Sequence, residues 1–243
     1  MMGYSHSVSA AAAWLALIEA GVVPLEDPAT IAVTTLAAAG AGMFPDVDHP
    51  KGTIAHSIPP VSGWVARGVS LISGGHRKGT HSLVGLAAFW ALAYFADRLT
   101  YAGIPVLALA LAAFAGGLAL RTFKAPGGWA GAVLMVFGVW ATDSLVYMPW
   151  AILTGAATHL LGDALTTRGI NPLWPVTIKP LVPSKLWRKS GYMALPLLGD
   201  ADSTREKILT LGLSCYIALF ALAALGFVDT YPAQLPAVIF DPA

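Results

Sequence analysis

Charge is what this chain has least of. Only 11% of its 243 residues are charged, 56% are hydrophobic, and the mean hydropathy is +0.68. A soluble domain carries about one quarter charged residues, so a chain of this length lacks the polar residues needed to cover a water-facing surface. Lipid is the solvent this composition fits. Cysteine is nearly absent as well. The single Cys215 lies in an apolar run, which excludes an internal disulfide and a thiolate-based zinc site. The net charge of +1 comes without the concentrated basic patch of a nucleic-acid binder, and no nucleic-acid partner is expected. No Lys or Arg stands between Met1 and His6, where a secretory signal would carry one, so the first apolar run is expected to be retained.

What the chain does have is long apolar segments. A spanning helix takes about 20 apolar residues, fewer inside a bundle. Candidates lie at 8–23, 29–44, 82–97, 103–120, 129–142, 146–162 and 207–228. Pro24, Pro28, Pro45, Pro105 and Pro149 fall near their ends, where a missing N–H costs least. The segment 61–73 carries Arg67 at its middle and reads as interfacial or re-entrant. The expectation is an all-α, polytopic transmembrane bundle of about five to seven spans, with an interfacial helix and cytoplasmic-side loops. It forms a single integral membrane domain over 1–243, with its motifs in 3–183 and a final span at 207–228.

If all seven segments cross, only Arg98 of the 14 basic residues falls on the side opposite the N-terminus. Glu26, Asp27, Asp97, Asp229 and Asp241 fall on that far side or at its edge. Basic loops stay cytoplasmic, so the N-terminus is expected in the cytoplasm.

The same crossing pattern returns all six histidines, with Asp46, Asp48 and Asp163, to the cytoplasmic ends of the spans. The local spacings suit metal coordination. Asp46 and Asp48 lie in Phe-Pro-Asp-Val-Asp-His-Pro, where the two prolines predict an extended stretch with both carboxylates on one side. Two such carboxylates repel unless a cation lies between them. His159 and Asp163 are four apart, on one helical face. In His76-Arg77-Lys78-Gly79-Thr80-His81-Ser82, Thr80 is placed to cap the following helix. Imidazole and carboxylate without thiolate suit Zn, Mn or Fe.

Other polar residues carry plainer expectations. His56 has no acidic neighbour and reads as structural, and Asp143 as a loop residue. Glu19 lies within or at the end of the first span, where a carboxyl is functional or interfacial. The basic run Lys185–Lys189 fits anionic headgroups.

Read in order, these blocks resemble the bacterial membrane-bound metal-dependent hydrolases of the YdjM-like family. The likeness runs from Gly-Tyr-Ser-His6 through Phe-Pro-Asp46-Val-Asp48-His49-Pro50 and His76-Arg77-x-x-Thr80-His81-Ser82. It continues in Thr158-His159-Leu-Leu-Gly-Asp163-Ala-Leu-Thr166 and Gly169-Ile-Asn-Pro-Leu-Trp174-Pro175, covering residues 3 to 183. Tyr4 and Ser5 stand between the glycine and histidine that the family pattern joins directly, and Lys78-Gly79 replaces the more usual Gly-aromatic pair. The resemblance implies a helical membrane enzyme with a divalent-metal site, similar in ligand types to zinc-dependent phospholipase C.

The expected activity is hydrolysis of a phosphoester in a lipid or other amphiphile by water activated on one or two metal ions, zinc first among them. The metal ligands come from His6, Asp46, Asp48, His49, His76, His81, His159 and Asp163. A spare Asp or His moves the proton, with Asp48 and Asp163 in catalytic roles. Arg77 and Lys78 are expected on the substrate phosphate, Arg77 also as a catalytic group. The alternative is a non-catalytic metal-binding membrane protein or a metal or proton transporter. A transporter would place its polar groups near the bilayer midplane, whereas these gather at one edge.

Overall fold

The computed structural model describes residues 1–124 and 128–227. Their regular structure is helical: α1 (Gly3–Glu19), α2 (Pro28–Ala41), α3 (Val61–Ile72), α4 (Leu83–Phe95), α5 (Val106–Thr122), α6 (Gly128–Ala141), α7 (Met148–Ala164) and α8 (Thr204–Ala224). Short 3-10 turns at Phe44–Asp48, Ile54–His56, Ala96–Arg98 and Ser144–Tyr147 adjoin them. Among the described residues there are isolated bridges but no strands.

Every apolar segment predicted to cross is a helix, and the segment 61–73 holds α3. Among the described residues, three stretches are long and apolar enough to span a bilayer: Pro28–Asp48, Ser144–Ala164 and Thr204–Ala224, of 21 residues each. Of these, Thr204–Ala224 is one unbroken α-helix about 30 Å long, the thickness of the hydrocarbon layer, while the other two join an α-helix to a short 3-10 turn. The remaining helices run for 12 to 17 residues. The final span was expected to reach Val228, which lies outside the described residues, as do Asp229 and Asp241.

Side-chain caps set three of the starts. Asp27 accepts from Thr30 N with Pro28 at the first helical position, Ser82 accepts from Gly85 N, and Ser203 accepts from Glu206 N. Each satisfies an otherwise orphaned amide. The cap of α4 is therefore Ser82 and not Thr80, whose hydroxyl is committed elsewhere.

α7 runs through the middle, packed against α1, α2 and α4, while α2 also packs on α5 and α5 on α6. Small residues allow this closeness, as is usual where lipid supplies no drive for helices to associate. A Cβ on Gly155 of α7 would sit 2.4 Å from Ala38 O of α2, and one on Gly131 of α6 would sit 2.4 Å from Gly116 O of α5. Backbone meets backbone at both places. α3 buries Ser62 and Ala66 and exposes Trp64, Val65, Leu71 and Ile72 along the other face.

One apolar cluster surrounds Trp14, Ile31, Met135 and Met148. A second joins Phe44, Leu118 and Ile152 to Phe89 and Phe114, with Phe44 at 6.0 Å from the Phe89 ring and 5.9 Å from Phe114. Just beyond this phenylalanine layer, the start of α1, the turn after α2, the entry to α4 and the end of α7 come together.

Candidate metal centre

The contact of α2 with α7 at Gly155 brings the next turn of α7 against the end of α2, and His159 Nδ1 lies 2.5 Å from Gly42 O. A carbonyl only accepts, so Nδ1 carries the proton and Nε2 keeps its lone pair. His81 is oriented by a longer chain of bonds. Thr80 donates its hydroxyl to Asp48 Oδ2 at 2.6 Å, and its oxygen accepts from His81 Nδ1 at 3.0 Å. His81 Nε2 is thereby turned inward, where it meets His159 Nε2 at 3.1 Å.

Two carboxylate oxygens complete this centre. Asp46 Oδ1 is 3.6 Å from His81 Nε2 and 3.7 Å from His159 Nε2. Asp163 Oδ2 is 3.6 Å and 3.8 Å from the same two nitrogens. A tetrahedral ion with ligands at about 2.0–2.2 Å holds its donors about 3.3–3.6 Å apart. Two imidazole lone pairs and two carboxylate oxygens at nearly that spacing fit a divalent cation.

Around these four the ligand types extend in two groups, Asp46, Asp48, His76 and His81 on one side and His6, His159 and Asp163 on the other. His76 Nδ1 donates to Asp48 Oδ1 at 2.9 Å, and its Nε2 is left as an acceptor. The His6 ring stacks on His159 with centroids 3.6 Å apart, its Nε2 is 3.4 Å from Asp163 Oδ1, and its buried Nδ1 has no hydrogen-bond partner. Asp163 Oδ1 also receives the Met1 α-amino group at 2.6 Å and Arg77 Nη2 at 2.8 Å. One oxygen of Asp163 is thus anchored while the other faces the histidines. His6, His81 and His159 are buried, while Asp46 and His76 are partly exposed and form the open side.

The residues singled out in the sequence separate by where the fold places them. Asp46, Asp48, His76, His81, His159, Asp163 and His6 converge. His49 lies beside them, edge-on to His76 at 4.6 Å, but is outside both groups because the backbone turns extended at that residue. His56, expected to be structural, is exposed and belongs to neither group, with its carbonyl accepting from Arg121 at 3.0 Å. Arg77 has φ +65° and its guanidinium turns inward. Nη1 donates to Thr166 Oγ1 and Gly169 O at 3.2 and 3.3 Å while Nη2 holds Asp163. The hydrogen-bonding capacity expected for a substrate phosphate is therefore largely spent on the protein. Lys78 is half-buried, and its side chain makes no hydrogen bond or ion pair among the described residues. The Asp46–Asp48 stretch is a 3-10 turn rather than extended; Pro45 sits at its start, where proline's fixed φ favours a helical turn. Both carboxylates nevertheless reach the cluster.

Two participants, Glu206 and Tyr192, carried no sequence signal, and Thr80 acts differently from the cap expected of it. Thr80 links His81 to Asp48. Glu206, buried in the first turn of α8, accepts from Met2 N at 2.7 Å and ties that helix to the site end of the bundle. Tyr192 is half-buried within electrostatic reach of Arg77 and Asp48, and burial pushes its phenol up from the ordinary value. The loop that carries it pairs Met193 with Ile170, and that segment is fastened to the entry of α4 by Leu83 N to Pro172 O at 2.9 Å.

Protonation follows the geometry. Burial alone lowers the pKa of His81, but the Asp46 and Asp48 carboxylates beside it outweigh that and raise the group to about 9. Without a cation, a proton occupies the place between the two Nε2 atoms. Burial and the neighbouring His76 push His49 down.

Comparison with known proteins gives one family. The family model for YdjM inner membrane protein matches residues 1–230. No curated protein and no solved structure matches the chain.

Proposed function

The chain belongs to the YdjM inner membrane protein family, and from that membership and the four-donor centre we propose a membrane-bound, metal-dependent hydrolase that cleaves a phosphoester in an amphiphilic substrate. The observation that carries this reading is the meeting of His81 Nε2 and His159 Nε2 at 3.1 Å, flanked by carboxylate oxygens of Asp46 and Asp163. These four residues would hold the ion. Zinc suits the set best, with Mn or Fe as further fits. When bound, such an ion acidifies water toward neutrality and polarises a phosphoryl oxygen.

The chain's own groups supply the rest. Substrate approaches over Asp46 and His76, the open side of the cluster. Asp48 orients His76 through Nδ1, so that Nε2 accepts the proton lost by the attacking water and returns one to the leaving oxygen. Lys78 is the cation left to meet phosphoryl charge. Arg77 positions Asp163 from behind. The exposed apolar face of α3 beside the turn that bears Asp46 and Asp48 suits a bilayer interface, where a lipid phosphoester presents itself. The excess of basic residues at this end favours the cytoplasmic side.

The burial of His6, His81 and His159 favours a second reading, a metal held for structure alone. Purified protein, assayed for metal content and for phosphate or alcohol release from a lipid and phosphodiester panel with added Zn or Mn, separates the two. Bound metal with turnover supports the hydrolase. Stoichiometric metal with no turnover on any substrate leaves the structural role, and no bound metal removes both.

A further inference from the structure

At the end of the bundle away from the metal centre, α4, α5 and α7 leave a cavity of about 520 Å³. Its inner wall is apolar, with Ala93, Ala112 and Ile152, and its rim carries Tyr94, Asp97 and Arg98. Ala93 and Ile152 also pack in the cluster with Phe44, Phe89 and Phe114, so the phenylalanine layer lies between this cavity and the metal centre. The 13 residues of α4 set the two ends about 20 Å apart.

The charges here are lopsided. Helix connectivity gathers Glu19, Glu26, Asp27, Asp97 and Asp143 at this end, and Arg98 is their lone basic companion among the described residues. Yet the Arg98 side chain makes no ion pair or hydrogen bond among the described residues. Its guanidinium carbon lies over the rings of Phe95 and Tyr94, at 4.7 and 5.6 Å from their centroids. Asp97 is likewise without an ion pair or hydrogen bond among the described residues. A neighbouring cation and anion, both uncompensated, stand at the mouth of an apolar chamber ringed by Tyr94, Tyr147 and Trp150, the aromatic types that collect at membrane interfaces.

We infer that this cavity is a binding site for a zwitterionic phospholipid whose headgroup carries a phosphate and a primary ammonium. An acyl chain fills the apolar chamber. The phosphate meets Arg98, and the ammonium meets Asp97 and the faces of the tyrosine rings. A lipid of net negative charge would bring its anion to an end holding five carboxylates and one guanidinium, with no cation of its own to offset them. The site is separate from the proposed hydrolase and does not depend on it.

The full chain, reconstituted in nanodiscs of equal phosphatidylethanolamine and phosphatidylglycerol and gently extracted, tests this by the lipid it retains in native mass spectrometry. The expected result is retained phosphatidylethanolamine in about fivefold excess over phosphatidylglycerol, the scale of one partly exposed charge pair. Arg98→Ala lowers retention of both lipids about fivefold, and Asp97→Asn removes the preference for phosphatidylethanolamine. Ala112→Phe, which fills the chamber, expels the lipid; should that variant misfold, the two exposed rim variants still decide. Metal content, read in parallel, stays at the wild-type value in Arg98→Ala and Asp97→Asn. Equal retention of both lipids, retention unchanged by Arg98→Ala, or a cavity closed by a second copy of the chain would each overturn the assignment.

Discussion

His81 Nε2 and His159 Nε2 face each other at 3.1 Å across 78 residues of sequence. Each imidazole has already given its Nδ1 proton, to Thr80 and to Gly42 O respectively. Two inward lone pairs at that distance repel unless a positive charge lies between them, which a metal ion or a proton provides. Replacing either residue removes a donor directly. His81→Ala and His159→Ala are expected to weaken zinc binding by more than about a hundredfold, beyond the range seen for outer-shell partners. Isothermal titration of metal-stripped protein measures it. Full affinity in both variants would remove this centre from consideration.

The proton and the metal compete for one place, and this sets a pH dependence. His81 has its pKa raised to about 9 in the folded chain, above the ordinary 6.5. Zinc binding should therefore tighten from pH 6 to 9 and release a proton in that range. Stability of the metal-free protein runs the other way. A raised pKa contributes stability that is complete below about 6.5 and lost as pH rises through 9, on the order of 3 kcal/mol. The melting temperature of stripped protein should fall across that window. The metal-loaded protein should not show the fall. Proton release in two buffers of different ionisation enthalpy, with scanning calorimetry, checks both signs.

Thr80 is expected to behave as an orienting group. Thr80→Val keeps the shape but breaks the link from His81 Nδ1 to Asp48 Oδ2. Metal affinity should drop by about 10- to 100-fold, and Thr80→Ser should restore most of it. Equal affinity in the wild type and Thr80→Val would show that His81 is held by packing alone.

These residues also show how far the sequence is legible. The seven apolar segments become α1, α2 and α4–α8 because helices in lipid must satisfy their own backbone, and a long apolar run has no other option. Asp46, Asp48, His76, His81, His159 and Asp163 stand out because ionisable groups are scarce in such a chain. Thr80 stands out only as a cap, and the Gly42 carbonyl not at all, since a hydroxyl's link to Asp48 and a main-chain oxygen act only through three-dimensional proximity. The turn at Asp46 was open to misreading for a related reason: Pro45 disfavours helix continuation behind it but fits the first position of a new turn. Arg77 looked like a phosphate ligand because its charge is visible in sequence, whereas the positive φ that turns it toward Asp163 is not.

Packing at the α2–α7 contact should be as demanding as the ligands. A methyl group on Gly155 would come within 2.4 Å of Ala38 O and 2.8 Å of the Ala41 side chain. Backbone cannot yield there without separating the helices, and His159 would lose its hold on Gly42 O. Gly155→Ala is expected to cost about 1–3 kcal/mol, the usual range for overpacking, and to lower metal content as well. Thermal melting and elemental analysis read the two effects. Gly212, inside α8 with open space around its Cβ position, supplies the control, and Gly212→Ala should raise stability by about 0.5–1 kcal/mol while leaving metal content unchanged.

Arg77 gives the sharpest division between a substrate ligand and a positioning residue. Its contact with Asp163 Oδ1 is 2.8 Å and its other terminal nitrogen is held by Thr166 and Gly169. A residue that binds the ground-state phosphate changes KM with little effect on kcat, whereas one that holds a metal-ligating carboxylate changes kcat and metal affinity together. Arg77→Ala should therefore lower kcat by tenfold or more, about 1.4 kcal/mol, and weaken zinc, with KM nearly constant. Arg77→Lys should recover little, because a single ammonium cannot reproduce the planar fork. Lys78→Ala is expected to show the opposite split, a raised KM with metal content intact. If Arg77→Ala raised KM alone, the guanidinium would have to leave Asp163 for substrate, and the inward bonding of Arg77 would not describe the working enzyme.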